Sequence, residues 1–145
     1  MANLTDKAGT IEHASCVAFG AKAILIRGAS GSGKSSLALE LMGLGAQLVA
    51  DDRVCLCRGA QHILARPPET LEGLIEARGV GLLKVPFRPA PLSLIVDLDQ
   101  VETRRFPEKM CTEVLGLTLP FLKKVESPIF GTALAHLIQF GRIAP

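Results

Sequence analysis

Gly28-Ala29-Ser30-Gly31-Ser32-Gly33-Lys34-Ser35 follows an apolar run over 23–26 and opens a Pro-free segment over 35–44. The octet matches G-x-x-x-x-G-K-[ST] at every fixed position. The apolar run reads as a strand. The Pro-free segment sets Leu37, Ala38, Leu41 and Leu44 on one helical stripe, closed by Gly43 and Gly45. A strand, a glycine loop and a helix in that order are what a phosphate cradle requires. Glycines let successive N–H groups point inward at phosphate oxygens, and the helix start adds its positive dipole end. We expect Gly28, Ala29, Ser30, Gly31, Ser32, Gly33, Lys34, Ser35 and Ser36 to bind ATP. Lys34 is assigned to the β- and γ-phosphates and the Ser35 hydroxyl to Mg²⁺. The competing reading is a glycine turn before a core helix.

Outward from the loop, the upstream pattern gives two strands, 16–19 and 23–26, joined by a tight turn at Gly20-Ala21-Lys22. Downstream, 47–50 is a strand ending in Asp51-Asp52. Residues 54–57 and 62–65 flank Arg58-Gly59-Ala60-Gln61 as a hairpin. Residues 71–75 stay ambiguous, 79–81 is a loop and 92–98 is a buried strand. Pro120 and Pro128 punctuate the C-terminal part, and 132–140 reads as a last apolar helix. The fold class expected is α/β: a P-loop domain with a mixed, hairpin-containing sheet around the P-loop helix. A loose N-terminal segment over 1–12 and a catalytic domain over 13–145 are expected.

At 145 residues the chain suits one domain. A net charge of +2, with no Trp or Tyr, supplies neither a basic stripe nor stacking aromatics, so no nucleic-acid partner is expected. No apolar stretch reaches bilayer length and the start has no h-region, so no membrane partner is expected. Cys16, Cys55, Cys57 and Cys111 fit no zinc spacing. They read as small buried hydrophobes, with Cys55 and Cys57 on one strand face, in a reducing cytoplasm.

A phosphate loop needs an acidic partner at the end of a neighbouring strand. Asp51 and Asp52 fit, one to hold Mg²⁺ and one to take a proton from an attacking hydroxyl; the residues alone do not separate them. On their own, His13 reads as a surface or capping histidine, and Glu76 and Arg78 read as a charged loop or strand edge.

Taken together, His13, Gly31-Ser32-Gly33-Lys34-Ser35, Leu48-Val49-Ala50-Asp51-Asp52-Arg53-Val54 and Glu76-Ala77-Arg78-Gly79-Val80-Gly81-Leu82-Leu83 resemble the HPr kinase/phosphorylase family. Its members phosphorylate a serine of the phosphocarrier protein HPr. The resemblance is good over about residues 13–98. It implies that His13 lies near the reacting phosphate, that Asp51 or Asp52 is the acid/base group with register favouring Asp52, and that Glu76 is a second Mg²⁺ ligand beside Arg78. It also offers Arg104 or Arg105 as a catalytic arginine. The metal set implied is Ser35, Asp52 and Glu76. The implied substrate is an HPr-like carrier of a regulatory phosphotransferase system, as in the short form that carries the catalytic domain only. Longer members have a further N-terminal domain, which we expect to be missing here. They also have an Arg-rich loop after a segment like Leu115–Pro120, where this chain has Lys123-Lys124-Val125-Glu126-Ser127-Pro128. The family's reverse phosphorylase reaction and a homo-oligomer are therefore left open. The alternatives are a P-loop small-molecule kinase and a nucleotide-dependent regulatory switch.

Overall fold

A continuous apolar run marks a strand buried on both faces, and the chain's central strands carry such runs. The computed structural model describes residues 9–143. In it β1 (Gly9–Glu12), β2 (Ser15–Phe19), β3 (Lys22–Arg27), β4 (Gln47–Ala50), β5 (Val54–Arg58), β6 (Ile63–Arg66) and β9 (Ala90–Val101) lie in the order β1-β5-β6-β9-β3-β2-β4. β10 (Met110–Val114) and β11 (Leu117–Lys124) extend the same sheet from β9. β7 (Leu74–Ala77) and β8 (Gly81–Lys84) form a separate two-stranded hairpin.

Strand direction positions the site. β3, β9 and β11 are mutually parallel, and β4 shares their direction because both β3 and β4 run antiparallel to β2. The C-terminal ends of β3, β4 and β9 therefore gather at one edge, together with the start of β2. Ligands of open α/β sheets collect at such an edge.

One face of the sheet buries Val17, Ile24, Ile26, Leu94 and Val96 under α1 (Lys34–Gly43), α2 (Phe130–Phe140) and Ile75 of β7. The other face buries Cys16, Leu25, Val49, Leu56, Ile63 and Ile95. Ile24 and Ile26 face the helices while Leu25 faces away, as the pleat demands. A Leu→Ala change in either layer costs about 3 kcal/mol by lost transfer energy and the cavity left behind.

Several expectations shift. Within the expected loose segment 1–12, Gly9–Glu12 pairs with Val54–Cys57 as an edge strand, and the Arg27 guanidinium grips the Glu12 carboxylate. Residues 1–8 lie outside the described residues. The ambiguous 71–75 resolves into a 3-10 turn, Glu69–Leu71, and then β7. Pro120 stands inside β11 opposite Cys111 rather than ending an element. It is tolerated because pairing of β11 with β9 begins only at Phe121, so no ladder needs its missing N–H. Cys16, Cys55 and Cys57 are buried, but Cys111 is exposed; none is in a disulfide. Burial holds the Cys16 thiol far above its ordinary pKa, with a smaller push from the Glu12 charge, so it stays protonated.

Candidate functional site

The chain leaves β3 at Arg27 and turns through the glycine loop into α1. Gly31 and Gly33 take φ of 82° and 99°, values a Cβ makes costly. Gly28 is required for another reason: a Cβ there would run into Ser32 Oγ and lie 3.3 Å from the Leu98 Cβ. Gly33 caps α1 with no side-chain bond, and no acidic residue occupies the first turn. The first N–H groups of α1 are thus left for an anion. The buried Lys34 side chain arches back over the loop, its Nζ donating to Gly28 O at 2.7 Å and Ala29 O at 3.0 Å.

The two adjacent aspartates separate completely. Asp51, at the end of β4, is 5% exposed and accepts from three directions. Ser15 Oγ donates at 2.6 Å, Ser35 Oγ at 2.8 and 2.9 Å, and the Glu76 backbone N–H at 3.2 Å. A buried carboxylate is tolerable only with such donors. Asp52 swings the other way. Its φ of 69° and the Arg53 N–H to Asp51 carbonyl bond of 2.8 Å fold the backbone tightly around it. A non-glycine residue rarely holds such a φ, and the strain is typical of functional positions. Its side chain reaches His13, with Nε2 to Oδ1 at 3.2 Å, both groups being more than half exposed. The Ala14 N–H donates to the Asp52 carbonyl at 3.3 Å and ties the two segments together.

His13 and Asp52 stand in one wall of an open cavity of about 280 Å³. Ser15, Ser30, Gly31, Gly33, Lys34, Ser35 and Ser36 line it as well, together with Glu76 and Arg78 of the β7–β8 hairpin. Six of the nine expected loop residues therefore line it. Ala29 donates its N–H to Asp99 Oδ1 at 3.0 Å instead, and Ser32 turns its buried hydroxyl away, with no partner among the described residues.

The remaining expected site residues divide between the cavity and its surroundings. Ser35, Asp52 and Glu76 all line the cavity, and the Ser35 hydroxyl donates to the neighbouring Asp51. Arg104 and Arg105 are not in the cavity wall; β9 continues to Val101 and carries the chain past the site edge before it bends. There the Arg105 guanidinium lies over the Phe106 ring at 5.3 Å. Arg78 is the arginine lining the cavity. Ser15 and Asp99 escaped sequence reading. Neither belongs to a motif, and an acid just past the expected strand over 92–98, as at Asp99, was the one available signal.

Ser35 Oγ and the Asp51 carboxylate supply hard oxygen donors side by side, beside the Glu76 backbone and an open cavity. That donor set fits Mg²⁺, which favours oxygen ligands and keeps some of its waters.

Comparison with known proteins bears on the same residues. The model of the HPr Serine kinase C-terminal domain matches residues 6–113. HPr kinase/phosphorylase of Verminephrobacter eiseniae and of an Acidovorax species are each 40% identical over 131 residues, covering 80% of this chain. That of Burkholderia cenocepacia is 39% identical over 129 residues. The chain spans about two fifths of the length of these relatives (41%, 41% and 39%). The solved Hpr(Ser) kinase/phosphatase from Coxiella burnetii shares the fold with a TM-score of 0.75 at 21% identity, over 90% of this chain and 94% of that one.

Proposed function

The chain belongs to the HPr Serine kinase C-terminal domain family, and we propose that it transfers phosphate from ATP to a serine of an HPr-type carrier in a regulatory phosphotransferase system. The observation that carries this reading is the His13–Asp52 pair, held exposed in the same cavity as the glycine loop and Lys34. An exposed carboxylate in the same cavity as the groups suited to a terminal phosphate supports a proton acceptor for an incoming hydroxyl.

Ser35 and Asp51 would hold Mg²⁺, with Glu76 beside them. Bound there, the ion would neutralise charge developing on the phosphate oxygens. The loop N–H groups and the α1 N-terminus bind the phosphates. Lys34 exchanges its two loop carbonyls for phosphate oxygens. Asp52 takes the proton of the serine hydroxyl while that oxygen bonds the γ-phosphorus and the bond from phosphorus to the β,γ-bridging oxygen breaks, leaving ADP. His13 keeps the Asp52 carboxylate aimed at the cavity. Asp52 suits the base role better than Asp51, whose oxygens are already committed to Ser15, Ser35 and Glu76.

The proposal extends to the reverse direction named in the relatives. Inorganic phosphate would displace the serine oxygen from phosphoserine, Asp52 would return the proton, and pyrophosphate would leave. Thiols without disulfides suit the cytoplasm, where ATP is available. No helix among the described residues is long and apolar enough to cross a membrane.

The test is incubation of the purified chain with Mg-ATP and HPr, read by mass spectrometry. One phosphoserine on HPr is expected. A chain that binds ATP yet modifies no HPr would remove the kinase reading in favour of a nucleotide-dependent switch. Phosphoserine-HPr with phosphate, assayed for pyrophosphate, decides the reverse direction.

A further inference from the structure

The β7–β8 hairpin does more than supply Glu76 to the cavity. Its register pairs Glu76 with Leu82 and Ile75 with Leu83. Directly opposed residues of antiparallel strands project from the same face, with Cβ atoms about 5 Å apart. Ile75 is buried against the main sheet and Leu83 packs on the same core. Glu76 and Leu82 therefore share the opposite face, the one on which Glu76 lines the cavity. Leu82 is nevertheless 67% exposed, and Val80 at the hairpin tip is 77% exposed. Gly79 and Gly81 flank Val80 with φ of 83° and 136°, and a Cβ on either would meet nothing within 4 Å, so the tip stands clear.

These two large aliphatic side chains stand on the hairpin that gives Glu76 and Arg78 to the cavity, yet neither lines the cavity or packs in the core. A small acceptor would be enclosed and held by polar groups. Here the proton acceptor Asp52 is itself on an open rim, its side chain 58% exposed, so the acceptor hydroxyl must be presented from outside by a larger body. The geometry points to Val80 and Leu82 as the lip on which the acceptor protein seats an apolar side chain beside its reacting serine. This inference rests on the kinase reading above. The partner implied is a folded protein with an aliphatic patch next to the modified residue, and the hairpin discriminates among acceptors while leaving ATP binding alone.

Val80→Ser and Leu82→Ser, singly and together, test it, with Leu82→Met as the variant that restores an apolar lip. Direct binding of HPr in the presence of a non-hydrolysable ATP analogue is measured by calorimetry, beside KM and kcat for HPr, ATP affinity, melting temperature and oligomeric state. The double variant is expected to weaken HPr binding and raise its KM about tenfold or more, the scale of losing an apolar anchor. ATP affinity, kcat at saturating HPr and melting temperature should stay unchanged, and Leu82→Met should recover most of the loss. Unchanged HPr binding in the double variant overturns the lip. So does a fall in ATP affinity or stability that accounts for the defect, or dissociation of an oligomer, which would mean the lip covers a second copy instead. Wild-type chain that binds HPr through this lip but transfers no phosphate would sink the kinase reading and keep the docking surface. Wild-type chain that phosphorylates HPr with the double variant indistinguishable would do the opposite, and absence of both binding and transfer removes both.

Discussion

Asp51 and Asp52 are neighbours in the chain and opposites in the fold. One backbone angle, φ 69° at Asp52, turns one carboxylate into a buried hub and the other toward His13 in the open cavity. The two should fail differently. Asp52→Asn keeps the shape but removes the proposed proton acceptor. We expect ATP binding within twofold of normal and phosphoryl transfer lowered by about a hundredfold or more, the usual worth of a general base. Asp51→Asn leaves the Ser15 and Ser35 hydroxyls and the Glu76 N–H sharing a neutral amide. It should instead weaken Mg²⁺-dependent ATP binding and lower the melting temperature. Single-turnover kinetics with separate nucleotide titrations distinguish the two outcomes. Equal loss of binding in both variants would show that the division of labour is wrong. Sequence alone left this pair unresolved, because a left-handed turn at a non-glycine residue has no compositional signature.

The glycine loop and α1 act as a single element whose backbone path depends on close approach. Gly28→Ala puts a methyl against Ser32 Oγ, which can rotate, and also 3.1 Å from Ser32 Cβ and 3.3 Å from Leu98 Cβ, which cannot move without their backbones. The loop must open to admit it, which displaces the carbonyls of Gly28 and Ala29 that Lys34 holds. We expect ATP affinity to fall at least tenfold while the melting temperature drops only slightly, since α1 packs through Leu37, Ala38 and Leu41. A titration showing unchanged affinity would mean the loop tolerates a wider path. The β10–β11 hairpin, by contrast, went unread in the sequence. Its two-residue turn is Leu115-Gly116, with φ of 46° and 86°, so both residues are left-handed as tight hairpins demand. Such turns advertise themselves by Asn or Asp at the first position. Here leucine takes it and packs against the sheet core, hiding the signal.

Over the whole molecule, the site joins β2, β3, β4 and the β7–β8 hairpin, so an occupied cavity should tie these elements together. Ligand that binds only the folded state stabilises it by about 2.7 kcal/mol at about a hundred times its Kd. Mg-ATP should therefore raise the melting temperature by several degrees in the native chain, and much less in Lys34→Ala; no shift in the native chain would contradict a nucleotide site here. Local pattern by itself determined the strand–loop–helix unit around Gly28–Ser35, the strands on either side, the acidic end of β4 and the family. Each rests on residues close in the chain, where periodicity and glycine placement act directly. Only the tertiary structure decided which aspartate faces the cavity and that Ser15 and Asp99 serve the site. It alone also showed that Arg78, rather than Arg104 or Arg105, lines the cavity, and that Leu82 shares the face of Glu76. Those facts depend on strand direction, register and the length of β9, which are settled by how distant segments pack across the sheet and leave no mark on local sequence.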